Sequence, residues 1–458
     1  MDCWTATDRP RAISPWHPEP ELLGRRVRYL YILAVYLATP LIALVMLWRG
    51  IGDRSYWDKF GERFGFGAPL APGSIWIHAV SVGEVQASAA LVTTLRERHP
   101  GIPVLVTTLT PTGMTRARAL FKDLAQVRYI PFDLPGSVRR FFNRIEPRLA
   151  VIFETELWPN LYHQCGKRRI PLVLASARIS PRSVSRYRRL GSLFRDSLSR
   201  GVVVAAQGEG DADRFRSLGA DPGRTHVTGN IKFDFSVPAD IAERGRRLRE
   251  FYAAQRPMWV AGSTHSGEEE VVLDAHRIVR NGDRVVSGGH PRALLVLVPR
   301  HPPRFDEVAQ GLQRAGVRFV RHSQRLGENA AAAAGSADVL LVDTLGELLD
   351  FYAAGDVAFV GGSLVPIGGH NLLEPAALGL PVLTGPHTAN SEDIARLLVA
   401  RGAAEVVHDA QQLGVRVSML LSDPDERDRI GAAGRASVDN NRGALGKLLG
   451  LIEPLLRG

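Results

Sequence analysis

A chain of 458 residues is longer than one hydrophobic core usually organises, which predicts two or more domains. Hydrophobic residues make up 45% of it and charged residues 23%, as in folded globular proteins, which excludes extensive disorder. The net charge of +10 could face phosphates, anionic lipid or water, but no aromatic-interleaved basic patch or recognised module supports a nucleic-acid partner. Cys3 and Cys165 are too few for a disulfide framework or a cysteine-based metal site.

The first predicted element is an apolar helix near the N-terminus. Residues 29–48 carry no charge and are bounded by Arg28 and Arg49, and about twenty such residues can cross a bilayer. Pro40 would kink the helix, so a spanning segment and one lying in a single leaflet remain alternatives, with a buried soluble helix as the third. The sequence thus predicts a flexible extension over residues 1–24 and a membrane anchor helix over 25–50.

Short apolar runs then alternate with amphipathic stretches, which is typical of parallel strands joined by helices. The first series of predicted strands covers residues 74–81, 103–110, 127–133, 149–156, 171–177 and 202–208. The second series covers residues 257–264, 293–300, 317–323, 338–344, 357–362 and 381–386.

These two series predict an α/β protein with two Rossmann-like, doubly wound parallel-sheet domains. We place the domains at residues 51–237 and 238–440, followed by a C-terminal helix over 441–458. Open parallel sheets bind ligands at the carboxyl ends of their strands, and small-molecule sites concentrate between domains. We therefore expect the functional residues just after the strands.

Three carboxylates follow strands of the first domain. Glu84, in SVGEVQAS, begins a helix, where it could accept a proton from a sugar hydroxyl or merely complement the helix N-terminus. Glu154 and Glu156, in FETELWPN, follow another strand. They indicate either an acid–base pair or part of an ion pair whose other member is Lys232.

The second domain contains features typical of nucleotide binding. Arg300, followed by His301, comes after a strand, where a guanidinium can hold a phosphate or carboxylate. Residues 344–347 open a helix whose backbone N–H groups could meet a phosphate. In the glycine-rich string from 360 to 387, Asn371 is expected to begin a helix, with Glu374 one turn later to accept bonds from ribose hydroxyls.

Two further patterns are discounted. Asp211 and Asp213 have the DxD form of a metal site, but their place at a helix start favours capping. The thirteen histidines show no HExxH, and His78 is predicted to be a packed core residue. No P-loop is present. We predict no metal site and no cofactor.

Nine motifs, in this order and spacing, resemble those of the 3-deoxy-D-manno-octulosonic acid (Kdo) transferases, and the similarity covers roughly residues 27–450. They are SVGEVQAS, YIPFDLP, FETELWPN, ASARIS, GNIKFD, AGSTHSGEEE, LVPRHP, DTLGEL and VGGSLVPIGGHNLLEPAALGLPVLTGPH. The chain departs from the family pattern by extra residues before the anchor and by longer loops around 281–292 and 327–336.

The resemblance implies a GT-B-type fold and transfer of Kdo from CMP-Kdo to a tetraacylated lipid A precursor (lipid IVA), in lipopolysaccharide core biosynthesis and with inversion. It also implies a location at the cell inner membrane, with the catalytic domains on the cytoplasmic side. The expected partners are the donor CMP-Kdo, the lipid A precursor and inner-membrane lipid. Another GT-B glycosyltransferase, using a UDP-sugar and a lipid-linked acceptor, is the alternative, and a non-catalytic nucleotide-sugar binder is a third reading.

The resemblance further implies the roles of individual residues. The catalytic base would be Glu84, and Glu154 and Lys232 would support the transition state. Contacts to CMP would come from ten residues of the second domain: Pro299, Arg300, His301, Leu345, Gly346, Glu347, Asn371, Leu372, Leu373 and Glu374.

Overall fold

The structure is a computed structural model that describes residues 22–189, 191–199, 201–254, 256–282, 289–325 and 335–457. The chain forms two compact units, the first made of Met1–Phe235 with Arg442–Gly458 and the second of Ser236–Asn441. Most of the extension expected over residues 1–24 lies outside the described residues, and so do parts of the two longer loops.

The first described element is an apolar helix, α1 (Leu22–Gly52), which runs through Pro40 without ending there. Its stretch Val27–Gly52 is long and apolar enough to cross a membrane. Large apolar side chains along it are exposed, among them Leu37 at 71% and Leu41 at 65%. The predicted N-terminal apolar helix is therefore present, and most of its apolar surface is uncovered.

The sheet of the first unit has seven parallel strands. They are β1 (Ser74–His78), β2 (Val104–Thr108), β3 (Gln126–Tyr129), β4 (Pro147–Phe153), β5 (Leu172–Ala177), β6 (Val203–Ala206) and β7 (Thr225–Val227). Their order in the sheet is β3-β2-β1-β4-β5-β6-β7. The central strands are buried on both faces, which is why they read as continuous apolar runs in the sequence. All six predicted strands are present, and β7 is an addition at the edge.

Helices cover both faces of this sheet. They are α2 (Val82–Ala87), α3 (Ala89–Arg98), α4 (Pro111–Leu120), α5 (Pro135–Ile145), α6 (Pro159–Lys167), α7 (Pro181–Arg189), α8 (Gly191–Ser199) and α9 (Glu209–Ser217). Local sequence explains where several begin. Thr110 accepts a hydrogen bond from the N–H of Gly113 and is followed by Pro111, a combination that favours a helix start.

The second unit has its own seven-stranded parallel sheet. Its strands are β8 (Met258–Thr264), β9 (Leu294–Pro299), β10 (Phe319–Arg321), β11 (Val339–Leu341), β12 (Val357–Val360), β13 (Val382–Thr384) and β14 (Ala404–Val406). Their order is β10-β11-β9-β8-β12-β13-β14. The six predicted strands are again present, with β14 added at one edge. Two seven-stranded parallel sheets confirm the predicted α/β fold class.

The helices of the second unit also lie on both faces of its sheet. They are α10 (Ile241–Tyr252), α11 (Glu268–Asn281), α12 (Phe305–Arg314), α13 (Leu348–Ala354), α14 (Leu373–Leu378), α15 (Glu392–Ala400), α16 (Ala410–Ser422) and α17 (Pro424–Asp439). Asp409 and Asp423 cap α16 and α17 by accepting the N–H groups of Gln412 and Glu426.

The last helix, α18 (Ala444–Arg457), belongs to the first unit although 206 residues separate Phe235 from Arg442. Asp234 accepts the backbone N–H of Gly443 at 2.6 Å. Leu448 and Ile452 are buried in the same apolar cluster as Val151 on β4. The C-terminus of the chain thus completes the core beside the first sheet.

Candidate active site

Glu84 lies in the first turn of α2, directly after the central strand β1. Its Oε2 accepts a hydrogen bond from the backbone N–H of Val80 at 2.9 Å, and its Oε1 accepts one from the hydroxyl of Ser81 at 2.9 Å. Ser81 is itself the N-cap residue of α2 and accepts the N–H of Glu84. The carboxylate is therefore held in one orientation by a reciprocal cap.

The pKa of the Glu84 carboxyl is raised above its usual range. Burial raises it to about 7, with a further rise from the negative charges of Glu154 and Glu156. Hydrogen bonds from Val80 and Ser81 oppose the rise. A carboxylate with a pKa near the working pH combines a useful ionised fraction with good basicity, so this side chain is suited to proton abstraction. Capping a helix and acting as a base are compatible roles here.

Glu154 follows β4 and is held between two cations. The Nζ of Lys232 lies 2.7 Å from its Oε1, and the Nε of Arg178 lies 3.1 Å from its Oε2. Glu154 also has a φ of 55°, a backbone conformation that costs energy for a residue other than glycine and occurs often at functional sites. The ion pair with Lys232, one of the two readings from the sequence, is confirmed, whereas Arg178 was not predicted.

Glu156 does not share these two cations and has a hydrogen-bond partner of its own. The indole Nε1 of Trp158 donates a hydrogen bond to its Oε2 at 2.5 Å. Burial raises the pKa of Glu156, and the bond from Trp158 acts in the opposite direction. Glu156 therefore differs from Glu154, which forms an ion pair through each of its two carboxylate oxygens.

In the second unit, Arg300 and His301 follow Pro299 at the end of β9, and both are exposed. The backbone N–H of Arg300 donates to the carbonyl of Thr264 at 3.0 Å, which ties this turn to the end of β8. Within the described residues the guanidinium of Arg300 has no hydrogen bond or ion pair. Its charge is available to an anionic ligand.

The expectation that residues 344–347 open a helix is wrong, because α13 begins at Leu348. Leu345, Gly346 and Glu347 lie just before it. The side chain of Leu345 is exposed, and Gly346 has a φ of 86°, which a side chain would disfavour. The carboxylate of Glu347 accepts hydrogen bonds from the hydroxyl of Thr344 and from Arg325. Glu347 is thus oriented by its neighbours.

The expectation that Asn371 begins a helix is wrong, because α14 begins at Leu373. Asn371 instead precedes the helix, where its Oδ1 accepts the N–H of Leu373 at 3.1 Å and its Nδ2 donates to Glu374 at 3.0 Å. Leu372 and Leu373 are almost fully buried. Only their backbone groups are therefore suited to contact a ligand, while Asn371 and Glu374 offer side chains.

Sequence reasoning missed Glu268, which organises the glycine-rich loop after β12. Its buried carboxylate accepts the N–H groups of Gly362 at 2.6 Å and of Ser363 and Leu364 at 2.9 Å each, and that of His265 at 2.9 Å. Four N–H donors on one carboxylate make a rigid arrangement. The signal for it in the sequence was the run of three glutamates in AGSTHSGEEE, which does not show which glutamate turns inward.

The discounted motifs have structural roles. Asp211 is not the cap of α9, because the N-cap position is Gly208; its Oδ1 accepts the N–H of Ile179 and pairs with Arg214. His78 is a buried core residue as predicted, and burial lowers its pKa to about 4. Within the described residues, no group of three or more His, Cys, Asp or Glu side chains could hold a metal ion.

The arginine-rich stretch on α10 is engaged in ion pairs. Arg244 pairs with Asp350 at 2.5 Å, Arg247 with Glu243 at 2.9 Å and Arg249 with Asp356 at 3.0 Å. Carboxylates therefore balance much of the positive charge of α10.

Three comparisons connect this fold and these residues to known proteins. A family model described as 3-deoxy-D-manno-octulosonic-acid transferase (kdotransferase) matches residues 58–235. The 3-deoxy-D-manno-octulosonic acid transferase of Haemophilus influenzae is 40% identical over 433 residues, which cover 94% of this chain and 99% of that protein. The transferase of the same name from Bordetella pertussis is 38% identical over 444 residues, covering 95% and 100%.

Comparison with solved structures shows which known proteins share this fold. UDP-GlcNAc 2-epimerase from Neisseria meningitidis aligns with a TM-score of 0.52 over 83% of this chain and 100% of that one, at 13% identity. The chain has two parallel-sheet units, and its candidate binding residues follow the strands of each sheet. This architecture defines the class of GT-B-type α/β proteins. Because relatives of 38–40% identity cover nearly the whole chain, it belongs to the Kdo transferase family and is a glycosyltransferase.

Proposed function

We propose that this Kdo transferase takes Kdo from CMP-Kdo and attaches it to a tetraacylated lipid A precursor, lipid IVA, with inversion at the anomeric carbon and Glu84 as the base. The observation that carries the proposal is the state of Glu84: a buried carboxylate with a fixed orientation and a pKa of about 7. The strong similarity to named Kdo transferases supports the sugar.

In the proposed step, Glu84 accepts the proton of an acceptor hydroxyl while that oxygen forms a bond to the anomeric carbon of Kdo. The bond from this carbon to the phosphate oxygen breaks, and CMP leaves with the electron pair. The proton rests on Glu84 until it is lost to solvent. General-base assistance of this kind is worth about 100- to 10,000-fold in rate.

Glu154 and Lys232 are proposed to support the transition state. Positive charge develops on the sugar as the bond to CMP breaks, and a fixed carboxylate such as Glu154 stabilises it. Lys232 and Arg178 hold the carboxylate of Glu154 in place. Lys232 would also balance the charge on the departing phosphate.

The contacts to CMP are proposed to come from the carboxyl ends of the second sheet. These are Pro299, Arg300 and His301 after β9, Leu345 to Glu347 before α13, and Asn371 to Glu374 around the start of α14. The guanidinium of Arg300, which has no partner among the described residues, supports a phosphate contact. The Asn371–Glu374 pair supports contacts to ribose hydroxyls.

We propose that α1 anchors the protein to the inner membrane, with both units on the cytoplasmic side. The exposed apolar side chains of α1 support an anchor, because such a surface is unfavourable in water. A lipid acceptor also resides in a membrane, so anchoring keeps the enzyme and its acceptor at the same membrane surface.

The donor is tested by comparing CMP with UDP. Binding of each nucleotide to the full chain in detergent is measured by calorimetry, first alone and then in competition. We expect CMP to bind and an equal concentration of UDP to leave that binding unchanged. Equal affinity for the two nucleotides would favour the alternative of a UDP-sugar enzyme, and no binding of CMP would contradict the proposed donor.

A further inference from the structure

Two histidines from neighbouring strands meet in the second unit. His265 follows β8 and His370 lies in the loop after β12, and their Nε2 atoms are 2.7 Å apart. The two ring planes are nearly parallel, at 7°, with 5.0 Å between centroids, and His301 approaches His265 edge-on at 5.2 Å. Only one hydrogen fits between the two Nε2 atoms, so one ring donates it and the other accepts it.

The backbone fixes this pair in place. Glu268 accepts the N–H groups of both His265 and Gly362. Gly362, with a φ of 70°, in turn accepts the N–H of Gly369, the residue before His370, at 2.7 Å. A Cβ on Gly362 would lie 2.8 Å from the ring of His370, so the ring can approach only because glycine is present. One carboxylate therefore positions both loops that carry the histidines.

Arg300, His301 and Arg304 act on the histidine pair as positive groups, and Glu268 acts in the opposite direction. Burial lowers the pKa of His370 to about 3, and Arg300, His265 and His301 lower it further. Of the other charged groups near His265, Glu268 is occupied by four N–H donors and Arg304 is paired with Glu269 at 2.7 Å. Arg300 has no ion pair among the described residues. The guanidinium of Arg300 and the ring N–H groups of the histidines are therefore suited to bind an oxyanion.

We propose that His265 and His370, together with Arg300 and His301, bind an oxyanion of the sugar nucleotide. The inference rests on the proposed function, because two groups of CMP-Kdo have this chemistry: the phosphate of CMP and the carboxylate of the acidic sugar. His265 follows β8, which lies between β9 and β12 in the sheet, so it is placed between two of the three strand ends whose loops are proposed to contact CMP. Neither histidine was among the residues expected to bind the donor.

Binding of an oxyanion is expected to be coupled to uptake of a proton. The arriving negative charge favours the imidazolium form, which Arg300, His301 and Arg304 disfavour and Glu268 favours in the free protein. Protonation gives the pair a second N–H group outside the shared Nε2–Nε2 hydrogen bond, and this group can donate to the ligand. Calorimetric titration in two buffers of different ionisation enthalpy measures this uptake.

The test uses the full chain with H265Q and H370Q, which keep a hydrogen-bonding side chain but cannot become charged. H226N is the matched control, because His226 is an exposed histidine on β7 of the first unit. Thermal unfolding verifies that each variant is folded. Cytidine and CMP are titrated by calorimetry, and the KM for CMP-Kdo is measured by steady-state kinetics.

If the pair binds the phosphate, both variants weaken CMP by about 10- to 100-fold, leave cytidine unchanged and abolish the proton uptake. If it binds the carboxylate, affinity for CMP is unchanged and the KM for CMP-Kdo rises by about the same factor. Unchanged values for CMP and CMP-Kdo in folded variants would overturn the proposal. Inorganic phosphate and free Kdo are also titrated, and binding is monitored by the NMR signals of the histidine rings. This titration distinguishes failure of the oxyanion site from failure of the proposed donor.

Discussion

Glu84 and Glu268 occupy similar positions in the two units, since each lies in the first turn of the helix that follows the first strand of its sheet in chain order. The two carboxylates differ in how much of their hydrogen-bonding capacity is used. Glu268 accepts four backbone N–H groups, whereas Glu84 accepts one N–H and one hydroxyl. Glu268 is thus committed to holding loops together, and Glu84 keeps lone pairs with which to accept a proton.

Replacing Glu84 with glutamine tests its role as a base. We expect E84Q to lower kcat by about 100- to 10,000-fold, because an amide cannot accept the proton. Affinity for CMP is expected to stay unchanged, since the proposed CMP contacts lie in the second unit. E97Q, which changes an exposed carboxylate on α3, is the control. Loss of CMP binding together with activity in E84Q would indicate a structural role instead.

The pH dependence of the reaction follows from the raised pKa of Glu84. The base is active when ionised, so protonation at low pH removes activity. With a pKa of about 7, kcat/KM should approach a plateau above about pH 8 and fall about tenfold per unit below about pH 6. A profile that stayed flat down to about pH 5.5 would contradict a base with this pKa.

At the residue level, the sequence predicted those groups that belong to one continuous motif. Glu84, Glu154 and Lys232 were named as candidates in this way, and the predicted Glu154–Lys232 contact is present at 2.7 Å. Two other partnerships between distant segments were not predicted. Arg178 reaches Glu154 from another strand end, and His265 meets His370 across 105 positions of sequence. Such contacts depend on strand order, which the sequence pattern does not specify.

At the level of elements, the loop after β12 depends on the start of α11. Its N–H groups from Gly362 to Leu364 would otherwise be buried without acceptors, and Glu268 supplies them. A buried donor without a partner costs about 1–3 kcal/mol. The glycine-rich loop is therefore stabilised by a residue almost one hundred positions earlier.

We expect E268Q to destabilise the second unit by about 3 kcal/mol, because glutamine replaces one acceptor oxygen with a donor that opposes an N–H. Hydrogen exchange of the Gly362–Leu364 amides should speed up by about two orders of magnitude. E270Q, an exposed neighbour on the same helix, should have no such effect. Equal protection in E268Q and E270Q would show that the four hydrogen bonds do not hold the loop.

Element prediction succeeded where long apolar runs were present and failed where they were not. Strands such as β4 and β9 are buried over nearly their whole length, and their sequences show it. The strands β7 and β14 have three residues each and mixed polarity, THV and AEV, so no run marks them. The start of α14 was misplaced because Asn371 caps from two residues before the helix.

For the whole molecule, the apolar helix α1 and the C-terminal helix α18 both belong to the first unit. The phenol of Tyr31 on α1 donates to the buried Asp133 at 2.8 Å, and Asp133 also accepts the N–H groups of Asn160 and Leu161 at the start of α6. Burial raises the pKa of Asp133 to about 7 despite these bonds. The apolar helix is thereby joined to the sheet domain by a polar contact.

Membrane attachment through α1 predicts a strong effect of charge on its exposed face. The double substitution L37K/L41K should abolish co-flotation of the protein with liposomes, because lysine near the centre of a membrane helix costs about 2.5–3.5 kcal/mol. L37A/L41A is the control, since it shortens the same side chains without adding charge. Flotation of the lysine variant equal to that of the unchanged protein would contradict an anchoring role for α1.

The central claim, transfer of Kdo to a lipid A precursor, is tested most directly by the mass of the product. The full protein in detergent is incubated with freshly generated CMP-Kdo and tetraacylated lipid A precursor, and the lipid is analysed by mass spectrometry, with E84Q in parallel. We predict mass gains equal to whole Kdo units with the unchanged protein and almost none with E84Q. An unchanged lipid mass, in a sample that still binds CMP, would contradict the proposed acceptor.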